Sequence, residues 1–251
     1  MMENVKRILS SFNIQDELNP NIWTNPENPS ISKMQQDVRS SLLAIANEFI
    51  EFLGVEIFVS DISMTGSLAN YNWSEFSDVD LHIMYDFNES GEFKEIYQEL
   101  FKLKKTLFNS THDITVKGYD VELYVQDTNE SHFSTGVYSV LYDKWIAEPS
   151  KEDVTIDENK ITEKVEQWMD IIDATMDSVE DEDLDEALEQ IEKIKDKLKK
   201  YRSCGLEKEG EYSYENLVFK FLRRNGYIQK LFDFTNELMD KRLSLEQQIS
   251  E

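Results

Sequence analysis

The stretch MTGSLANYNWSEFSDVDLHI, Met64 to Ile83, decides how this chain is read. Its second half alternates. Val79, Leu81 and Ile83 fall on one face and Asp78, Asp80 and His82 on the other, which predicts a half-buried strand through DVDLHIMYDF. Its first half closes an earlier strand, VEIFVSDISMTGS, in which Val55, Ile57 and Val59 share a face and Phe58 implies partial cover on the opposite one. Between them, Gly66 and Ser67 end a strand and open a short helix. A helix start presents backbone N–H groups to anions such as the outer phosphates of a nucleotide. Ser67 can also cap that helix by the same geometry.

Asp78 and Asp80 lie two apart on a strand, so their Cα atoms are roughly 6.5 Å apart and their carboxylates project from one face. Two such charges beside an anion loop repel unless a divalent cation lies between them. Carboxylate, phosphate oxygen and water are the ligands that Mg²⁺ prefers. A third acid has to come from a neighbouring strand. YDVELYVQ offers Asp120 and Glu122, sharing a face opposite Val121, Leu123 and Val125; Glu122 is nearer mid-strand and is the candidate, with Asp120 as the alternative. Such a triad suits two ions about 3.5–4 Å apart, one acidifying an acceptor hydroxyl and one holding a triphosphate. The plainer reading of these acids is a solvated strand face, since 51 of 251 residues are acidic.

Outward from this stretch, Ser32 is placed to cap a helix running to Leu53 and stopping at Gly54. A helix is expected over about 91–108, then HDITVK and YDVELYVQ joined by a tight turn at Lys117 and Gly118, then one last strand, GVYSVLYDKW, at 136–145. Up to about residue 150 this is an α+β pattern. Residues 1–30 read as a short helix, VKRILSSF, and an extended arm carrying three of the four prolines. From 159 the period is helical in three segments, ITEKVEQWMDIIDATMDSV, DLDEALEQIEKIKDKLKKYRS and YENLVFKFLRRNGYIQKLFDFTNELMDKRLSL, with Gly205 and Gly210 punctuating the second connection. The boundaries expected are an arm at 1–30, an α+β domain at 31–150 and a helical domain at 151–251.

Composition bounds the partners. With 26 basic residues against 51 acidic, the net charge of -25 disfavours long nucleic acid, whose affinity comes from phosphate neutralisation. Hydrophobic residues at 40% exclude a disordered chain, and 8 Gly with 4 Pro exclude fibrous classes. The single cysteine, Cys204, excludes an internal disulfide framework and fits a reducing compartment. No apolar run approaches the roughly 20 residues of a membrane span, and MMENVKRILSSF lacks a signal-peptide core. The expectation is therefore a cytoplasmic protein with no membrane partner.

Gly-Ser, a ten-residue spacer and Asp-x-Asp inside a strand together resemble the polymerase-β-like nucleotidyltransferase superfamily. LNPNIW at 18–23, GSLANYNWSEFSDVDLHI at 66–83 and SYENLVFKFLRRNGYIQKL at 213–231 also look like a group of phage-encoded predicted nucleotidyltransferases of unassigned substrate. The resemblance implies a small mixed sheet backed by helices, followed by an all-helical domain. It implies Gly66 and Ser67 on nucleotide phosphates, and Asp78, Asp80 and Glu122 as catalytic ligands to two Mg²⁺ or Mn²⁺ ions. A nucleoside triphosphate such as ATP is the implied donor, and pyrophosphate leaves. A phage-encoded chain would act in the host cytoplasm. Glu at the third position departs from the commoner Asp. In related two-part transferases a helical domain closes over the triphosphate, which makes Lys220, Arg223 and Arg224 nucleotide-binding candidates; these and Tyr227 fall on one helical face. The acceptor is open: a protein side chain or small molecule is favoured over an RNA end. The rival readings are a nucleotide-binding or interaction module without catalysis, and an acidic mimic of DNA.

Other residues have plainer readings. His82 reads as a partly buried histidine, with hydrogen bonding to a metal-bound water as the sharper alternative. His112 and His132 have no ligand spacing with Cys204, which reads as incidental. Residues 177–192 carry nine acids and no base, and 193–202 six bases and one acid. That order suits the helix dipole, with Glu189 and Lys193 as an i, i+4 pair. Tyr71 and Trp73 either stack on a base or anchor their loop; Trp145 and Trp168 read as core.

Overall fold

The computed structural model describes residues 2–130, 134–151, 153–179 and 183–244; His132 lies outside them. The chain forms two compact units, Asn13–Asp153 and Met1–Phe12 with Val154–Glu251. The stretch 1–30 therefore contributes to both: helix α1 (Met2–Ser10) belongs with the C-terminal helices, and the rest joins the sheet-bearing unit.

The first unit is a mixed α/β structure. Its helices are α2 (Gln36–Leu53) and α3 (Lys94–Thr111), and its strands are β1 (Val59–Thr65), β2 (Val79–Tyr85), β3 (Thr115–Val116), β4 (Tyr119–Asp127), β5 (Val137–Ser139) and β6 (Lys144–Ala147). Among the described residues these strands make one sheet in the order β3-β4-β2-β1-β5-β6. The β2–β4 pairing is parallel and the other pairings are antiparallel. A parallel neighbour requires a crossover, and α3 lies on it.

Leu42, Ala46, Phe49 and Leu53 of α2 and Phe101 and Phe108 of α3 share one core with Val79, Leu81, Ile83, Val121 and Leu123 of the sheet. The alternation in β2 thus sends its apolar side chains to the helices and leaves Asp80 and His82 on the other face. Cross-strand partners share a face, so Thr65, opposite Asp80, and Ser63, opposite His82, belong there too. Past Val121 the short β3 leaves the β4 edge open. Asn109 of α3 closes it: its side-chain amide donates to Leu123 O and accepts from Leu123 N–H, both at 3.2 Å.

Several local expectations are corrected. Helix α2 starts at Gln36 rather than at a Ser32 cap, and Ser32 is buried upstream of it. Strand β1 begins at Val59, and Phe58 is exposed rather than covered. The expected strand at 136–145 is a hairpin, β5 and β6, with Asp143 in a positive-φ turn held by Tyr138 Oη–H at 2.7 Å. The Lys117–Gly118 turn forms with positive φ at both residues, the type that matches strand twist. Tyr71 and Trp73 anchor the entering chain: Gln15 N–H donates to Tyr71 O at 2.7 Å and Trp73 Nε1–H to Glu17 O at 2.9 Å. Trp145 stacks on Trp23 with ring centroids 4.4 Å apart.

The second unit contains α1 and four longer or later helices, α4 (Glu158–Ser178), α5 (Leu184–Glu209), α6 (Tyr214–Arg224) and α7 (Tyr227–Leu243). Helix α6 packs against α1, α4, α5 and α7, and Trp168, Ile191, Leu198, Phe221 and Leu231 are buried. The last helical segment is two helices, because the chain turns at Asn225–Gly226. Tyr227 therefore does not share a helix with Lys220, Arg223 and Arg224. Gly205 lies inside α5, not in a connection; a Cβ there would fall 2.7 Å from Ser213 Oγ, so it is the point where α5 meets the start of α6. The Glu189–Lys193 pair forms at 2.7 Å. Among the described residues no helix is long and apolar enough to cross a membrane.

Candidate functional site

Three carboxylates from two strands meet on the polar face of the sheet. Asp78 immediately precedes β2, Asp80 is its second residue, and the parallel register sets Glu122 of β4 directly beside Asp80. One ligand oxygen from each of Asp78, Asp80 and Glu122 lies within 4.8 Å of the others, and all three residues are half-buried. Asp120 is exposed and takes no part, which resolves the choice between the two acids of β4. The donor set is all carboxylate oxygen, so the cluster can hold a metal ion of the hard, oxygen-loving class.

Gly66 is the backbone half of the site. Its φ is +77°, and a Cβ built on it would lie 1.9 Å from Asp80 Oδ2. The main chain leaving β1 thus runs against the carboxylate of β2, closer than any side chain permits. Ser67 opens a single 3-10 turn, Ser67–Ala69, but its hydroxyl does not cap it. It donates instead to Ser77 Oγ at 2.7 Å, and Ser77 Oγ accepts from Ser74 N–H at 2.9 Å. Those bonds tie the turn after β1 to the loop that delivers Asp78. Asn70 adds a bond to Gly66 O at 2.7 Å.

A second layer was not read from the sequence. Tyr124, two residues beyond Glu122 on the same face, donates its hydroxyl to Glu122 Oε2. Its ring stacks on His82 with centroids 4.9 Å apart, and Lys105 Nζ of α3 sits 3.8 Å from the ring centroid on a cation–π contact. Burial pushes the Tyr124 phenol far above its ordinary range, and the Glu122 carboxylate pushes it further, so it stays a donor. Burial holds the Lys105 ammonium below the usual lysine range, while the charges of Glu122 and Asp80 pull it back up. His82 Nε2 lies 3.1 Å from Thr65 Oγ1, so the ring is held in the polar layer between β1 and β4. The period-2 alternation of YDVELYVQ did put Tyr124 on the face of Glu122; nothing local in the sequence marks Lys105, because α3 reaches this face only by closing the β4 edge.

Tyr124 orients the third carboxylate, and that gives a direct expectation. Tyr124→Phe keeps the ring under Lys105 and removes only the hydroxyl. The expected result is a roughly tenfold weaker affinity for Mn²⁺, measured by titration calorimetry, at an unchanged unfolding midpoint.

Lys220, Arg223 and Arg224 belong to the helical unit. Lys220 Nζ lies 3.6 Å from Glu211, Arg224 Nη1 donates to Ser11 Oγ at 2.6 Å, and Arg223 is exposed. Burial and the neighbouring arginines hold the Lys220 ammonium below its usual range.

No protein-family model, no curated protein and no solved structure matches this chain.

Proposed function

We propose that the sheet-bearing unit is a metal-dependent nucleotidyltransferase, of the kind found in the polymerase-β-like superfamily, transferring a nucleoside monophosphate from a nucleoside triphosphate to an acceptor and releasing pyrophosphate. The observation that carries this reading is the convergence of Asp78, Asp80 and Glu122 within 4.8 Å, with the Gly66 backbone pressed against Asp80. A solvated acidic face offers no reason for a glycine whose missing Cβ is occupied by a carboxylate. A binding module that uses no metal offers none for the third acid to join the other two.

Asp78, Asp80 and Glu122 would hold Mg²⁺ or Mn²⁺, two ions at full occupancy. When bound, such ions neutralise triphosphate charge and acidify an acceptor hydroxyl. The chain's own contribution is placement. The register of β2 and β4 sets Asp80 against Glu122, and the Ser67–Ser77–Ser74 bonds fix the loop before Asp78. With the Ser67 hydroxyl so engaged, the phosphate contacts proposed for Gly66 and Ser67 fall to their backbone. Glu122 serves as ligand or as base for the acceptor hydroxyl, with Tyr124 steadying Oε2 in either role. Preorganised charge and position supply most of the rate in phosphoryl-type transfer. The net charge favours a protein side chain or small molecule as acceptor over a nucleic-acid strand.

The test is calorimetric titration of each nucleoside triphosphate with and without Mg²⁺, with pyrophosphate followed in the same samples. Metal-dependent binding with slow pyrophosphate release supports the transferase and names its donor. Metal-dependent binding without release, in the presence of candidate acceptor proteins and metabolites, favours a nucleotide sensor. No binding removes the reading.

A further inference from the structure

The segment Lys193–Arg202 sets six cations against one acid in a chain of net charge -25. Two of them are accounted for by neighbours on the same helix: Lys193 pairs with Glu189 at 2.7 Å and Lys195 with Glu192 at 2.6 Å. Lys199 and Arg202 are not. Among the described residues neither lies within ion-pair distance of a carboxylate, although Asp and Glu outnumber Lys and Arg two to one.

Both line a half-open pocket of about 480 Å³ between α5, α6 and α7, within the helical unit. That volume is typical of small-molecule sites, which run to roughly 300–1,000 Å³ and are mostly apolar with a few placed polar groups. Leu198 and Leu231 are buried and line it with Ile228, while Phe219 and Phe232 stand at its sides. Phe232 is 47% exposed, so part of its ring is open to a ligand. The cations are already turned toward these rings: the Arg202 guanidinium carbon lies 4.7 Å from the centre of Phe219, and Lys195 Nζ 4.7 Å from the centre of Phe232.

Arg202 is also held in place. Its Nε donates to Asn216 Oδ1 at 3.1 Å, and the buried Asn216 is fixed in turn by donating to Glu211 O at 2.6 Å. One edge of the guanidinium is therefore anchored. Burial and the nearby charge of Arg223 act against its positive charge and the charge of Glu211 only partly offsets them, so a bound anion would add to what Glu211 supplies. Asp196 and Glu192 also line the pocket, Glu192 paired with Lys195, and they limit what fits: a polyanion would meet them, whereas a single carboxylate is placed at Lys199 and Arg202.

We propose that this pocket binds a small organic monoacid, its apolar body against Leu198, Ile228 and Leu231 and its carboxylate at Lys199 and Arg202. The site is independent of the carboxylate centre on the sheet, and its occupancy is read without any transferase assay.

The test uses the full chain and the fluorescent aromatic anion 8-anilinonaphthalene-1-sulfonate, displaced by decanoate, decanol or acetate. One saturable site is expected, emptied by decanoate at concentrations at least about tenfold below those needed with decanol or acetate, because charge and body both contribute. Lys199→Gln, an exposed change that leaves the helix intact, should weaken decanoate several-fold. Lys199→Gln with Arg202→Gln should weaken it by about tenfold or more, at an unchanged far-ultraviolet circular dichroism spectrum. Decanol competing as well as decanoate would reduce the pocket to an apolar surface, and acetate competing as well would reduce it to surface charge. Either result overturns the proposal, as does unchanged decanoate binding in Lys199→Gln and the double variant, or no dye binding at all.

Discussion

Asp80→Asn should abolish the response of this protein to divalent metal. A site that binds only the folded state stabilises it by about 2.7 kcal/mol at a metal concentration a hundred times Kd, roughly 5–10 °C in unfolding midpoint for a chain of this size. In the wild type, Mg²⁺ or Mn²⁺ should produce such a shift; in Asp80→Asn it should vanish. Asparagine keeps the shape of the side chain and removes one of three like charges gathered within 4.8 Å. Without metal, the midpoint of the variant should accordingly stand at or above that of the wild type. Any nucleotide-dependent pyrophosphate release should fall by roughly a thousandfold, the scale set by losing a preorganised electrostatic element. The pairing of these outcomes is diagnostic. A variant that is less stable without metal and still shifted by metal would mean that Asp80 is a structural carboxylate and that the ion, if bound, sits elsewhere.

Gly66→Ala should damage the fold of the sheet-bearing unit and its carboxylate site together. Two costs add. The backbone sits at φ +77° and ψ -164°, a region essentially restricted to glycine, which costs an L side chain about 1–3 kcal/mol. The new Cβ would also fall 1.9 Å from Asp80 Oδ2 and 2.9 Å from its Cγ, so the carboxylate or the strand must move. A loss of about 2–4 kcal/mol in chemical denaturation is expected, together with loss of the metal-induced shift. Gly118→Ala separates the two terms. Gly118 has φ +84° and nothing within 4 Å of a built Cβ, so it carries the conformational cost of about 1 kcal/mol alone and keeps the metal response. Equal losses in the two variants would show that no contact with Asp80 is at stake at Gly66.

Much of the architecture was legible because it is periodic. The two-residue alternation in DVDLHIMYDF and YDVELYVQ assigned faces to Asp80, His82, Asp120 and Glu122, and the same alternation separated Val79, Leu81, Val121 and Leu123 into the core. Gly54 and Gly118 were legible as punctuation, since glycine adopts positive φ without steric cost, and Lys117 joins Gly118 in the same turn at φ +55°. The misreadings share a cause. Ser32, Gly205 and GVYSVLYDKW each carry a local signal that tertiary contacts overrode: Ser32 is buried ahead of its helix, Gly205 makes room for Ser213 inside one, and Asp143 turns a single apolar run into a hairpin.

By itself, the sequence determined which acids share a face with which, because that follows from the geometry of a single strand. It left open whether Glu122 or Asp120 completes the group, since both point the same way from β4. Only the tertiary structure decided it, through the parallel register that sets Glu122 beside Asp80 and leaves Asp120 exposed. The same holds for Lys105 and for the pocket between α5, α6 and α7: residues far apart in the chain become neighbours only when burying the apolar faces of separate helices and strands brings their polar edges together.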